Sequence, residues 1–141
     1  MSSFFKISEG AALALHACVL LAHHSQESFA VSVLAKRLRG SSAHLAKVMQ
    51  RLAKTGIVKG LRGPKGGFSL ARPASEITLL EIFQAIEGKP IPADCTFADP
   101  VCGWKHCLFR GLIHTLDQKL TDYLDNTRLN SIAAKTRTDS H

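Results

Sequence analysis

The sequence predicts a mainly α-helical chain with one small β-hairpin and a long C-terminal helix, on three observations. Two short amphipathic segments, 32–38 and 43–55, are separated by the helix-breaking run Gly40-Ser41-Ser42. A basic, glycine-rich turn between two short strand-like runs follows them directly. A further apolar-periodic stretch begins after a loop containing Pro and Asp.

The elements follow in chain order. Residues 8–24 predict a helix, with Ser8 as N-cap and Glu9 suited to the positive helix N-terminus. Ala11 to Ala22 is apolar nearly all round apart from His16, so this helix is buried on most sides. Cys18 lies in that run as a small buried hydrophobe. After a polar connector at 23–28, Ser32 is placed to cap a short helix whose Leu34, Ala35 and Leu38 share one face. The next helix, about 43–55, ends at Gly56 and puts Leu45, Val48, Met49 and Leu52 at core spacing. Its opposite stripe is His44, Lys47, Arg51 and Lys54. Residues 57–61 and 68–71 read as strands around the turn 62–67. Two helices, a tight turn and a basic hairpin make a winged helix-turn-helix. Thr78-Leu79-Leu80-Glu81 is a capping box, and its helix stops at Gly88-Lys89-Pro90. Residues 104–129 predict one long helix lined by Phe109, Leu112, Ile113, Leu116, Leu120, Tyr123 and Leu124. A helix this long after a finished small domain needs a partner surface. A two-fold copy of itself is the simplest, and folding back on its own domain is the alternative. The chain therefore divides into a winged helix-turn-helix unit (1–88), a cysteine-containing loop (89–107), a dimerisation helix (104–130) and a flexible tail (131–141).

The chain has 141 residues, 45% of them apolar and 21% charged, enough for one core and too apolar for disorder. No apolar run is long enough to span a membrane. Glu9 and the lack of a small-residue cleavage site argue against a signal peptide. Four cysteines are too few for a disulfide scaffold, so the expected setting is the cytoplasm, with reduced thiols. Charge is unevenly spread: residues 1–75 carry 11 Lys/Arg and two acids, residues 76–141 seven Lys/Arg and nine acids. A polyanion partner for the first half is the natural reading. Seven histidines are present, but none is spaced with Ser or a carboxylate as in a catalytic triad, so no enzyme is expected.

Within a winged helix-turn-helix the second helix enters the major groove of duplex DNA. Ser41 and Ser42 are placed for phosphates or bases, and His44 and Lys47 for base edges. Arg51 and Lys54 lie further along, at phosphate positions. Arg62 and Lys65 at the hairpin tip suit the minor groove, and Gly63, Gly66 and Gly67 permit the tight turn.

Ser8-Glu9 with its apolar helix, the run 33–38, Arg62-Gly63-Pro64-Lys65-Gly66-Gly67-Phe68-Ser69-Leu70-Ala71-Arg72-Pro73, Ile77-Thr78-Leu79 and Ala85-Ile86-Glu87-Gly88 together form a recognisable set. Over roughly residues 4–125 the chain resembles the Rrf-two-type bacterial regulators, which include iron–sulfur, nitric-oxide and cysteine-metabolism regulators. The resemblance implies a homodimeric winged-helix repressor or activator acting at a pseudo-palindromic operator. In its cluster-binding members three cysteines precede the dimer helix, the place held here by Cys95, Cys102 and Cys107. The usual spacing is five residues then five; here it is six then four. Ala46 stands where many members carry an acid, His44 where many carry Tyr, and Phe68 where Tyr is commoner.

Thiolates are soft ligands for iron–sulfur clusters or zinc. A cluster, 4Fe-4S or 2Fe-2S, wants a fourth ligand, for which Glu9, Asp94, Asp99, His106 and water are candidates. The resemblance favours Glu9 from the other subunit. Zinc held by the three cysteines and His106, or no metal at all, are the alternatives. The leading expectation is a DNA-binding dimer that senses redox state, nitric oxide or iron through the cluster. A cluster-free regulator responding to a partner protein, a small molecule or thiol oxidation comes second, and a small redox protein third.

Overall fold

Ser8 opens the first helix. Its side-chain oxygen accepts the Ala11 N–H at 3.1 Å, and α1 runs Glu9–His23. The structure, a computed structural model, describes residues 7–64, 66–89 and 101–137. Ala11, Ala14, Ala17 and Cys18 are completely enclosed, which the all-round apolar pattern of α1 predicts. Small side chains let four of the later helices and the second hairpin strand all pack onto this one helix.

Helix α2 (Val31–Leu38) starts one residue before the expected cap. Its N-cap is Ala30, with no side-chain bond, so Ser32 lies inside the helix. The reason is a long-range pairing: Phe29 is held extended by backbone bonds to Phe68, so the chain turns helical as soon as that pairing ends. The helix closes through Arg39 in the left-handed region (φ 54°), with Arg39 N–H donating to the Lys36 carbonyl and Gly40 N–H to Ala35. Ser41 then caps α3 (Ser42–Lys54), accepting the His44 N–H at 3.2 Å. Leu45, Val48, Met49 and Leu52 are buried at the expected period. Gly56 ends α3 at φ +80°, and the Ile57 N–H reaches back to the Leu52 carbonyl.

Strands β1 (Val58–Leu61) and β2 (Gly67–Leu70) form the antiparallel hairpin, in the register Val58↔Leu70 and Gly60↔Phe68. Phe29 adds a third edge, its N–H donating to the Phe68 carbonyl at 2.9 Å and its carbonyl accepting the Phe68 N–H at 2.8 Å. That pairing, absent from the sequence reading, explains Gly67. A Cβ there would lie 2.4 Å from the Phe29 carbonyl oxygen.

After a 3₁₀ turn (Ala74–Glu76), the Thr78–Glu81 capping box starts α4 (Leu79–Glu87) with both reciprocal bonds made. Arg72 braces it, donating to the Glu76 carbonyl at 2.7 Å and to the Glu81 carboxylate at 3.0 Å.

The C-terminal part differs from the single long helix expected over 104–130. Helix α5 spans only Leu112–Asn126. Gly103, Arg110 and Gly111 all have positive φ (58°, 52° and 82°), which a continuous right-handed helix cannot contain. At the far end Thr127 is extended, because the chain pairs there with the approach to α4. The Leu79 N–H donates to the Thr127 carbonyl at 3.0 Å and the Leu129 N–H to that of Ile77 at 2.8 Å. A sixth helix, α6 (Leu129–Thr136), follows and packs on α1. Residues 131–136, expected in a flexible tail, are thus helical, with Leu129 fully buried and His23 Nε2 3.0 Å from Thr136 Oγ1. Leu124 docks α5 on the domain while Leu112, Leu120 and Tyr123 stay exposed. Most of the loop expected at 89–103 lies outside the described residues.

Partial burial opposes ionisation of Glu81, but the Thr78 N–H and the Arg72 guanidinium outweigh it and hold its carboxyl below the ordinary value. The charged form therefore stabilises the fold above the ordinary carboxylate range, and this contribution fades as pH falls through the lowered native value. Thermal melts should show Glu81→Gln less stable than wild type at pH 7, with the gap narrowing as the pH drops below about 5. Thr78→Ala should cost about 1 kcal/mol, the usual scale for an N-cap. A gap independent of pH would show that the carboxylate charge contributes nothing.

Candidate nucleic-acid interface

The N-terminal end of α3 stands clear of the core: Ser41, Ser42, Ala43 and Lys47 are exposed. The Ser41 oxygen is engaged as the cap, and its O–H is still a donor. Ser42 and Lys47 face outward. His44 differs, being half-buried with its ring over α1. A Cβ on Gly10 would lie 3.6 Å from His44 Nε2 and 3.3 Å from Ile86 Cγ2. His44, Lys47, Arg51 and Lys54 thus line a cleft of about 460 Å³ between α3, the start of α1 and the end of α4. Within it the Arg51 guanidinium donates to the Ile86 carbonyl at 3.1 Å.

At the hairpin tip Arg62 is exposed. The turn is drawn tight by the Gly66 N–H donating to the Gly63 carbonyl at 2.8 Å. A Cβ on Gly66 would lie 2.4 Å from the Leu61 carbonyl oxygen, so only glycine fits. Lys65 lies outside the described residues.

The structure adds basic groups that spacing alone did not single out. Lys36, Arg37 and Arg39 on and after α2, and Lys59 on β1, are exposed. Arg37 lies 5.2 Å from the centre of the Phe29 ring, a cation–π contact. Arg39 occupies a left-handed position that glycine fills more cheaply, so its side chain is carried at a conformational cost. The signal for all four was available: residues 28–75 contain no Asp or Glu.

The cysteines fall into two groups. Cys18 is fully buried and its thiol is pushed up to about 12 by burial, so it stays protonated and inert. Cys102 and Cys107 are exposed free thiols on the segment before α5. His106 is exposed between them, and Glu9 is exposed in the first turn of α1. Cys95, Asp94 and Asp99 lie outside the described residues. Among the described residues no three His, Cys, Asp or Glu side chains gather at metal-binding distances.

A capped, outward-facing second helix beside a basic hairpin, in a stretch (28–75) without acids, defines a winged helix-turn-helix protein that binds DNA. The chain belongs to the Rrf2 family of transcriptional regulators: the family model, described as an iron-dependent transcriptional regulator, matches residues 7–135. It is 30% identical over 120 residues to the HTH-type transcriptional regulator IscR of Pectobacterium carotovorum, covering 84% of this chain and 73% of that protein. It is 41% identical over 64 residues to the putative HTH-type transcriptional regulator YwgB of Bacillus subtilis, a match spanning 45% of this chain and 41% of YwgB. Among solved structures, CymR of B. subtilis, a global cysteine regulator, superposes with a TM-score of 0.79 at 25% identity, covering 95% of this chain and all of that one. IscR of T. potens shares the fold, with a TM-score of 0.75 at 20% identity over 95% of this chain and 90% of that one. The family is one of regulators, not enzymes, as the sequence predicts.

Arg62→Ala should weaken specific duplex binding by about 1–3 kcal/mol, the scale of one good groove contact. The tip is exposed, so the thermal melt should not move. Unchanged affinity for a genuine operator would remove the hairpin tip from the interface.

Proposed function

We propose that the chain is a homodimeric regulator that binds a pseudo-palindromic operator and carries an iron–sulfur cluster on Cys95, Cys102 and Cys107, with Glu9 of the other subunit as fourth ligand. The observation that supports this best is the exposure of two free thiols, Cys102 and Cys107, outside the packed core. They stand in a chain whose family is described as iron-dependent. The donor chemistry fits such a group: three thiolates within 13 residues are soft ligands, and a single carboxylate completes four. When bound, the cluster supplies a centre whose ligands respond to oxidants, nitric oxide or iron supply. The chain's own part is to hold that centre between the end of α4 and the start of α5.

The dimer reading rests on α5. Leu112, Leu120 and Tyr123 are exposed and Ile113 and Leu116 half-buried, an apolar face that a second copy would cover. DNA contact is assigned to Ser41, Ser42, His44, Lys47, Arg51, Arg62 and Lys65. The cytoplasm, where thiols stay reduced, is the compartment this chemistry requires. Among the described residues no helix is long and apolar enough to cross a membrane.

A second reading, a cluster-free thiol switch, draws on the same exposed pair of cysteines. A Staphylococcus aureus CymR solved in an oxidized form superposes at a TM-score of 0.74 with 26% identity, covering 96% of this chain and all of that one. In that reading oxidation of Cys102 or Cys107 is the signal.

Protein purified without oxygen should contain iron and sulfide, with visible charge-transfer absorbance. Serine at Cys95, Cys102 or Cys107 should abolish the absorbance, Cys18→Ala should leave it, and Glu9→Ala should weaken cluster retention by less than losing a thiolate. Zinc without sulfide would replace the sensor by a structural site, and no metal would leave the thiol switch. Binding should be dimeric and electrostatic: with roughly 6–10 phosphates contacted, affinity should fall about 10³–10⁵-fold between 50 and 200 mM salt. A flat salt dependence would count against the interface.

A further inference from the structure

The buried side of α3 fixes which of its side chains point straight away from the domain. Leu45, Val48, Met49 and Leu52 face the core. Successive side chains of a helix are about 100° apart, so the direction opposite the mean of those four falls among Ala43, Lys47, Gln50 and Lys54, each within about 30° of it. All four are exposed. His44 and Arg51 lie about 90° and 70° off that direction, and accordingly one turns over Gly10 while the other reaches the Ile86 carbonyl. Spacing alone assigns base edges to His44 and Lys47 and passes over Gln50. Yet Gln50 projects outward, and its side-chain amide makes no hydrogen bond among the described residues. Residues 28–75 contain no Asp or Glu, so no acid of that stretch competes for its NH₂ group.

On the same side Ala43 is exposed and Ala46 half-buried, so no bulky side chain holds the outward face off a groove. The major groove admits an α-helix. From Ala43 to Gln50 the helix rises about 10 Å, the length of about three base pairs at about 3.4 Å each. A carboxamide carries an acceptor and two donors side by side. Adenine presents the complement in the major groove, N7 as acceptor and the N6 amino group as donor, and a glutamine meets both at once. We propose that Gln50 is a specificity-determining residue that reads an adenine in each half-site of the operator through this paired hydrogen bond. Lys47 and Lys54, one turn before and one turn after it, supply charge on the same face. Gln50 between them adds none, so it contributes to base identity and not to the salt-dependent part of the affinity.

The inference rests on the regulator reading above, and selection of duplexes separates the failure of one from the failure of the other. Full-length wild type, Gln50→Ala and Gln50→Glu, purified without oxygen, are each used to select binding sites from a randomised duplex pool. Wild type should select a site with an adenine at one symmetric position. Gln50→Ala should keep the rest of the site and lose that preference alone. Gln50→Glu, whose carboxylate only accepts, should move the preference to cytosine, which offers the N4 donor. Changing the selected A·T pair to G·C in one half-site should weaken wild type by about 5–150-fold, the range of one good bidentate pair, and leave Gln50→Ala nearly unaffected. Replacing that adenine by 7-deaza-adenine, which lacks only the N7 acceptor, should cost wild type less than the G·C change and the variant nothing. Position 50 is exposed and uncharged, so neither the thermal melt nor the slope of log affinity against log salt should move in Gln50→Ala. Identical selected sites for wild type and Gln50→Ala would overturn the proposal and leave the regulator reading intact. So would an affinity loss in Gln50→Ala that is equal for every sequence, which would make Gln50 a backbone contact, or a Gln50-dependent preference for a base other than adenine. A wild type that selects no sequence would overturn both.

Discussion

Enclosure of α1 is the constraint on which the rest of the structure depends. Ala11, Ala14, Ala17 and Cys18 have no accessible surface and Leu21 almost none, so every neighbouring helix is placed by how closely it approaches this one. The small residues set the distance: a larger side chain on this face would overpack a core already at crystal-like density. Truncating a fully buried leucine in this core would cost about 2–5 kcal/mol, against a total of roughly 5–15 for an ordinary domain. The same helix delivers its polar start, Ser8 and Glu9, to the junction with α4. A buried structural element therefore ends beside the last turn of α4.

Much of the helix-turn-helix was legible in the chain because its signals are local. Leu45, Val48, Met49 and Leu52 keep helical period, and Thr78 with Glu81 closes a capping box. What failed was long-range. The pairing of Phe29 with Phe68 occupies one residue and leaves no alternating pattern to read. The break between α5 and α6 falls at Thr127 and Arg128, with neither Gly nor Pro to mark it, because the cause is hydrogen bonding to residues 77 and 79. The early part of the predicted long helix is stopped partly by Arg110, a residue with no particular preference for positive φ.

The candidate site shows the same division. Exposure of Ser42, Lys47 and Arg62 follows from their positions opposite the apolar stripe or at a glycine-rich tip. The inward placement of His44 and the reach of Arg51 to Ile86 depend on α1 and α4 arriving beside α3, which no spacing within α3 encodes. Cys18 was separable from the other cysteines by its apolar neighbours alone, and its raised thiol pKa is the electrostatic expression of that burial.

The pairing of Phe29 with Phe68 has a consequence for reading length. An isolated two-stranded hairpin is marginal in water and would swing. Here its second strand is tied, through Phe29, to the residue that precedes α2, and α2 leads through one tight turn into α3. The hairpin tip and the α3 N-terminus are thereby two points of one caliper with a set gap. In the proposed complex such a caliper measures distance along the duplex as well as base identity. An extra base pair between the two points lengthens that stretch by about 3.4 Å and rotates one groove relative to the other.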